Sequence, residues 1–200
     1  RSGQSWADRS ASSVRPFHFS FFITYAIQNN ELVTTYKIEN NGTEKMYFSV
    51  GAHPAFKVPL IDEYDFTDYY LQFEKNENAE RWPLASNGLI EKEGEPYLQN
   101  TDLLALEKQL FYKDALVFKN LSSTSIAIRT NKDAHGVQVS FRGFPYMGIW
   151  NVKDADFVCI EPWCGIADMV DTSGKIEEKE GIQKLEDNES FSATWSVTCF

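Results

Sequence analysis

The chain has 200 residues, of which 42% are hydrophobic and 14% aromatic, so it is long enough for one large domain with a substantial apolar core. Its 19 basic and 29 acidic residues give a formal charge of −10, which disfavours nucleic acid and anionic membranes as partners. No apolar run approaches the ~20 residues of a membrane span and no signal peptide opens the sequence, so we expect a cytoplasmic location.

The sequence divides into a short irregular stretch and one domain. Residues 1–16 are polar and lack hydrophobic periodicity, which predicts a tail or a cloning remnant. Residues 17–200 are patterned throughout and predict a single domain. The first element of this domain is a long half-buried strand whose apolar residues share one parity. They are Phe17, Phe19, Phe21, Ile23, Tyr25 and Ile27.

Two further strands follow in antiparallel order. Asn29 and Asn30 mark a turn, and residues 32–38 alternate as a returning strand. A second turn at 40–42 leads to the strand 46–50, which ends just before His53. Three antiparallel strands therefore lead to this histidine.

The remainder of the chain also favours strands. Residues 66–74 predict a strand, residues 76–99 predict loops, and the leucines around Leu104 are compatible with the start of a short helix. Short strands are then predicted at 115–121, 125–130, 137–141, 147–150 and 157–161, with a closing strand at 190–200. Helical periodicity is nearly absent. The pattern predicts an all-β, antiparallel sandwich or barrel.

His53 and Glu161 are the candidate chemical groups of this sheet. Gly51 and Ala52 precede His53 and Pro54 follows it, so small residues leave room for a ligand beside an imidazole that exchanges protons near neutral pH. Glu161 ends the predicted strand 157–161 and also precedes a proline. Two strand ends would thus present one acid and one base. The alternative interpretation is a structural histidine and a surface carboxylate.

The other cysteines and histidines carry less information. Cys159, Cys164 and Cys199 are odd in number and show no CxxC spacing, so we expect reduced thiols in packing or surface positions. His18 lies opposite the apolar parity of its strand and His135 sits beside a glycine in an apparent turn. Both are interpreted as structural or solvated.

Four motifs in order resemble one known family. They are GAHPAF around His53, LFYKDALVF around Asp114, GFPYMGIWN at 143–151 and CIEPWCGIAD around Glu161. From about Phe17 to its C-terminus the chain resembles the aldose 1-epimerases, or galactose mutarotases, and within them the bacterial LacX-like branch. The resemblance implies an antiparallel β-sandwich of the galactose mutarotase-like supersandwich type, with a sugar bound in a shallow groove.

The resemblance also implies roles for individual residues. Glu161 matches the general base that removes the proton from the anomeric hydroxyl, and His53 matches the general acid that protonates the ring oxygen. Asp114 matches a position that hydrogen-bonds sugar hydroxyls, while Trp150 and Trp163 are candidates for apolar walls of the groove. This chemistry requires a sugar as its small-molecule partner and no metal or cofactor.

The chain departs from the family at its beginning. Family members carry further strands N-terminal to this match, with an arginine and a second histidine that line the sugar site, and neither Arg9 nor Arg15 lies in a matching motif. The resemblance therefore implies an N-terminally truncated sandwich whose exposed sheet edge invites a homodimer.

Two other functions stay open on the sequence. The first is a carbohydrate-binding sandwich without turnover. The second is a sugar-phosphate epimerase of the same fold, which requires a cluster of arginines or lysines beside the groove. Only the scattered residues Lys57, Arg81 and Arg142 are candidates for that cluster.

Overall fold

The computed structural model describes residues 17–200, and the predicted tail at 1–16 lies outside the described residues. The strands, numbered in chain order, are β1 (Phe19–Gln28), β2 (Glu31–Asn40), β3 (Met46–Phe48), β4 (Val50–Gly51), β5 (Ala55–Lys57), β6 (Tyr69–Arg81), β7 (Glu95–Ala105), β8 (Leu116–Lys119), β9 (Ser125–Thr130), β10 (Val137–Ser140), β11 (Tyr146–Trp150), β12 (Phe157–Cys164), β13 (Gln183–Leu185) and β14 (Ser190–Cys199). Short 3-10 helices occupy Phe66–Asp68, Lys108–Phe111 and Ile176–Glu178. Within 17–200 no helix has the length and apolarity to cross a membrane.

Twelve of the strands form one curled sheet in which all neighbours are antiparallel, so the predicted fold class is confirmed. The strand order is β1-β2-β14-β10-β9-β6-β8-β11-β12-β4, with β5 also on β12 and β7 also on β6. Strands β3 and β13 form a separate small sheet. One face of the curled sheet encloses the core, where Leu71, Phe118, Ile128, Ile149 and Ile160 are buried. The opposite face of β8, β11 and β12 carries the candidate site.

Strand β1 is present as predicted, but its predicted burial is wrong. Tyr25 is 65% exposed and Ile27 80% exposed, although both belong to the apolar parity. The reason is position, since β1 is the last strand of the sheet at this end and pairs only with β2 within 17–200. On β2 the same pattern does bury Tyr36 and Ile38. Pairing of this edge with a second copy stays a prediction.

The region predicted as loops, 76–99, is strand at both ends, whereas residues 82–94 lie outside the strands as predicted. Strand β6 continues to Arg81, β7 returns from Glu95, and Leu104 belongs to β7 rather than to a helix. The polar run 75–81 hid this hairpin from the sequence pattern, because much of it is solvated and lacks apolar alternation. Register shifts between β6 and β7 further interrupt the period of two.

A buried carboxylate ties this irregular part of β6 to the loop after β8. Glu77 is 1% exposed, and its carboxylate accepts the backbone N–H groups of Ser122 at 3.0 Å and Ser123 at 2.7 Å. Buried amides of a loop need such acceptors. Glu77 is therefore a structural residue of the sheet.

Replacing Glu77 with alanine is expected to lower the free energy of unfolding by about 1–3 kcal/mol, because two loop amides lose their acceptor. Urea denaturation measures this loss. The control is Glu63→Ala, an exposed carboxylate for which we expect a change within about 0.5 kcal/mol. Equal stability of the two variants would contradict the structural role of Glu77.

Candidate active site

The site is built on a gap, residues 52–54, that separates the short strands β4 and β5. On β12, Trp163 pairs with Gly51 of β4, and Cys159 pairs with Ala55 of β5. The register is the same on both sides of the gap, so the intervening residues 52–54 lie across from 160–162. His53 therefore faces Glu161 from the neighbouring chain segment, and both candidate residues meet at one point of the sheet.

The prediction that Glu161 ends its strand is wrong, because β12 continues through Pro162 to Cys164. The gap explains how the strand accepts this proline. The N–H of Ile160 donates to the carbonyl of Pro54 at 3.3 Å, so the nitrogen of Pro162, two residues on, faces the same side. Pro162 therefore lacks an N–H only on the side of the 52–54 segment. The hydrogen bonds between β12 and β11 are unaffected.

The two candidate groups are in direct contact. His53 Nδ1 lies 2.6 Å from Glu161 Oε1, with the histidine side chain 61% exposed and the glutamate side chain 8% exposed. The ring of Trp150 flanks His53 with the ring centroids 5.8 Å apart. Since Nδ1 is used by Glu161, the second ring nitrogen, Nε2, remains for a ligand. The arrangement offers an accessible proton donor beside a sheltered carboxylate.

Two glycines make room for the indole of Trp163 beside this pair. A Cβ at Gly148 would lie 2.3 Å from a Trp163 ring atom, and a Cβ at Gly51 would lie 2.6 Å from another. The indole therefore lies across both glycines, which come from the strands on either side of β12. The Trp163 side chain also lies close enough to Glu161 to lower the pKa of its carboxyl. The predicted role of Trp163 as a wall of the sugar groove stays a prediction.

The electrostatics of the site follow from burial. Burial raises the pKa of Glu161, and this rise is opposed by the charge of His53 and by hydrogen bonds from His53 and Trp163. On the same face of β12, burial raises the pKa of the Cys159 thiol to about 12, with a further contribution from Glu161. Both groups prefer their neutral forms relative to solution.

The structure brings together four of the five predicted site residues. His53, Glu161, Trp150 and Trp163 lie on neighbouring positions of β11, β12 and the gap, whereas Asp114 precedes β8, on the far side of β11. Asp114 has a φ of 110°, a strained value for a residue with a side chain, and its carboxylate accepts the N–H of Ala115 at 2.7 Å. Its predicted role in binding hydroxyls stays a prediction.

The sequence analysis did not identify Gly148 as part of the site, and it did not place Cys159 beside Glu161. A sequence pattern indicates each of these features. A glycine inside an apolar strand often marks a close approach by a neighbouring group. The alternation of β12 places Cys159, Glu161 and Trp163 on one face.

Comparison with known proteins places the chain in a family. The profile of the family "Aldose 1-epimerase" matches residues 6–198, and the chain belongs to this family. The chain is 28% identical over 188 residues to the chromosomal LacX protein of Lactococcus lactis, covering 91% of this chain and 62% of LacX. The plasmid-encoded LacX of the same organism matches with the same identity and coverage.

Solved structures confirm the galactose mutarotase-like fold. A galactose mutarotase related enzyme from Lactobacillus acidophilus superposes with a TM-score of 0.87 at 32% identity, covering 98% of this chain and 66% of that one. A galactose mutarotase-like protein from Lactobacillus casei gives the same score at 22% identity, covering 98% and 68%. The chain thus spans about two thirds of the length of the proteins it matches.

Replacing Glu161 with glutamine is expected to raise stability at neutral pH. A carboxyl whose pKa is raised by folding contributes stability that is fully present below its unfolded pKa and is lost as the pH rises through the folded pKa. The melting-temperature difference, variant minus wild type, should grow from near zero at about pH 4 to about 1–3 °C at about pH 8. Calorimetric scans across this range measure it.

The exposed Glu91→Gln exchange serves as the control and should show no such growth with pH. A Glu161→Gln variant that loses stability as the pH rises would contradict the burial argument.

Replacing Gly148 with alanine is expected to cost about 1–3 kcal/mol of unfolding free energy, because the new methyl group meets the rigid indole of Trp163. Urea denaturation measures the loss, and near-ultraviolet circular dichroism reports the displaced indole. Gly42→Ala is the matched control, since its Cβ would find no atom closer than 3.3 Å. An unchanged aromatic signal in Gly148→Ala would contradict the proposed packing.

Proposed function

We propose that this domain catalyses the interconversion of the α and β anomers of an aldohexose. The observation that carries the proposal is the 2.6 Å contact between His53 and Glu161. Membership of the aldose 1-epimerase family supports it, because these residues match the family's acid and base. A general acid and a general base must both reach adjacent atoms of one small substrate, and two side chains in contact with each other meet this requirement for proximity.

The first half of the reaction opens the ring. The carboxylate of Glu161 takes the proton of the hydroxyl on C1, and the electrons of that O–H bond form the C1=O double bond. The bond between C1 and the ring oxygen breaks, and the ring oxygen receives a proton from His53. The reacting oxygens share one carbon, which suits a donor and an acceptor that already lie side by side.

The second half closes the ring. The open-chain aldehyde rotates about C1–C2 and presents its other face to the released hydroxyl. His53 now removes the proton of that hydroxyl as it attacks C1, and Glu161 returns its proton to the carbonyl oxygen. Both residues recover their starting states, so no metal, cofactor or redox step enters the balance.

The raised pKa of Glu161 suits this role. Burial increases the proton affinity of the carboxylate, which makes it a stronger base than an exposed glutamate. The exposed position of His53 leaves it free to turn from Glu161 towards a bound sugar. The base is therefore fixed and the acid is mobile.

The neighbours of the three cations considered on the sequence favour a neutral sugar over a sugar phosphate. Lys57 forms an ion pair with Asp62, and Arg81 forms one with Glu95 at 2.6 Å. Arg142 lies close enough to Glu74 to influence its pKa. All three candidate cations thus have carboxylates near them, which weakens them as a phosphate-binding cluster.

Polarimetry of freshly dissolved α-D-glucose and α-D-galactose tests the proposal. The wild-type chain should accelerate mutarotation above the buffer rate. His53→Gln and Glu161→Gln should each lower kcat by about 10²–10⁴-fold, because each removes one partner of the proton transfer.

The matched control uses a second histidine–carboxylate pair, which lies on the surface. His135 Nδ1 lies 3.3 Å from Asp133, and the histidine is exposed. His135→Gln should therefore leave the rate unchanged. Sugar binding without acceleration, measured by calorimetry on the same samples, would instead favour the carbohydrate-binding alternative.

A further inference from the structure

The candidate site contains a third chemical group that the proposed reaction does not use. Cys159 lies two residues before Glu161 on the same face of β12 and is 2% exposed. One donor atom each from His53, Cys159 and Glu161 lies within 4.8 Å of the others. Three different metal-ligating groups therefore meet at one point.

We propose that His53, Cys159 and Glu161 form a binding site for a divalent zinc ion. Zinc prefers nitrogen, sulfur and carboxylate ligands, and open sites hold it by three protein groups and one water. The donor set is one imidazole, one thiolate and one carboxylate. Two of the ligands are sheltered from solvent, and the exposed His53 leaves a route for the ion to enter.

The geometry fits a tetrahedral ion after small side-chain adjustments. Zinc lies about 2.0–2.3 Å from such ligands, which places the ligand atoms about 3.5 Å from one another. The 2.6 Å contact between His53 and Glu161 must widen, and the longest separation in the cluster, at most 4.8 Å, must shorten. Turning the His53 side chain would widen its contact with Glu161, because His53 belongs to the gap rather than to a paired strand.

Binding exchanges protons for the metal. Zinc binds a cysteine as its thiolate, so the Cys159 thiol gives up its proton when the ion binds. The ion displaces this proton, together with any proton shared by His53 and Glu161, and the protons pass to solvent. The thiolate and carboxylate then balance the two positive charges of zinc, and no oxidation occurs.

Zinc bound in this site would inhibit the proposed epimerase activity. It would occupy the side chains of His53 and Glu161 that the proposed reaction uses to transfer protons to and from the sugar. This consequence rests on the proposed function, whereas binding of zinc does not. The experiment therefore measures the two separately.

Isothermal titration with zinc chloride tests the binding. We expect one zinc per chain and proton release that is visible as a dependence of the heat on the buffer. Cys159→Ser should weaken binding by more than about 100-fold, because loss of a residue that only supports a ligand typically costs about 10–100-fold. Cobalt(II) in place of zinc should show a thiolate-to-metal charge-transfer absorption that Cys159→Ser abolishes.

Two controls separate this site from other thiols. Cys164→Ser removes a buried thiol that packs in the core on the opposite face of β12, and Cys199→Ser removes an exposed one. Both variants should bind zinc and cobalt as the wild type does. Unchanged binding in Cys159→Ser, or loss of binding in Cys199→Ser, would overturn the proposal.

The inhibition is measured on the polarimetric assay. Zinc at saturating concentration should reduce wild-type mutarotation to the buffer rate, and a chelator should restore it. Zinc binding to a chain without any mutarotase activity would refute the proposed function and leave the metal site standing. Full activity in the presence of bound zinc would overturn the assignment of His53 and Glu161 as its ligands.

Discussion

The candidate site depends on one constraint, which is the register that β12 keeps with both β4 and β5. Because the register is unchanged across the gap, the looped residues 52–54 replace paired strand residues one for one. A shift by one residue would turn His53 to the other face of the sheet. The backbone hydrogen bonds of Ala52 and Pro54 to β12 hold the segment at both ends of the gap. The two candidate residues are thus aligned by the sheet itself.

The surroundings of Glu161 lower the stability of the fold and raise the proton affinity of the carboxylate. A carboxylate whose side chain is 8% exposed loses most of its hydration, and His53 and Trp163 compensate this loss in part. Burial by Trp163 is possible because Gly51 and Gly148 leave space for the indole on either side. The same packing that disfavours the charged form makes Glu161 a stronger base. Sites that combine strain or buried charge with function are expected to be less stable than they could be.

The sequence predicted most of the strands and the antiparallel class, and it singled out His53 and Glu161, because these features depend on local alternation and on motifs. It could not predict the 2.6 Å contact, since His53 and Glu161 are distant in the chain and only the pairing of β12 brings them together. The predicted burial of β1 was wrong for a related reason. Alternation determines which residues share a face, but not whether another layer covers that face. The roles of Gly148 and Cys159 were accessible from parity and from a glycine within a strand.

A proton, a sugar and a metal ion would compete for the same atoms at this site, and they require different spacings. His53 Nδ1 and Glu161 Oε1 lie 2.6 Å apart, whereas zinc ligands stand about 3.5 Å apart and two substrate oxygens need room between the residues. Glu161 cannot provide this change, because it is buried in β12 beside Trp163. His53 can, since it is exposed, lies in the gap between β4 and β5, and touches Trp150 along one side of its ring. The position of the exposed His53 imidazole would therefore decide which partner the buried carboxylate meets.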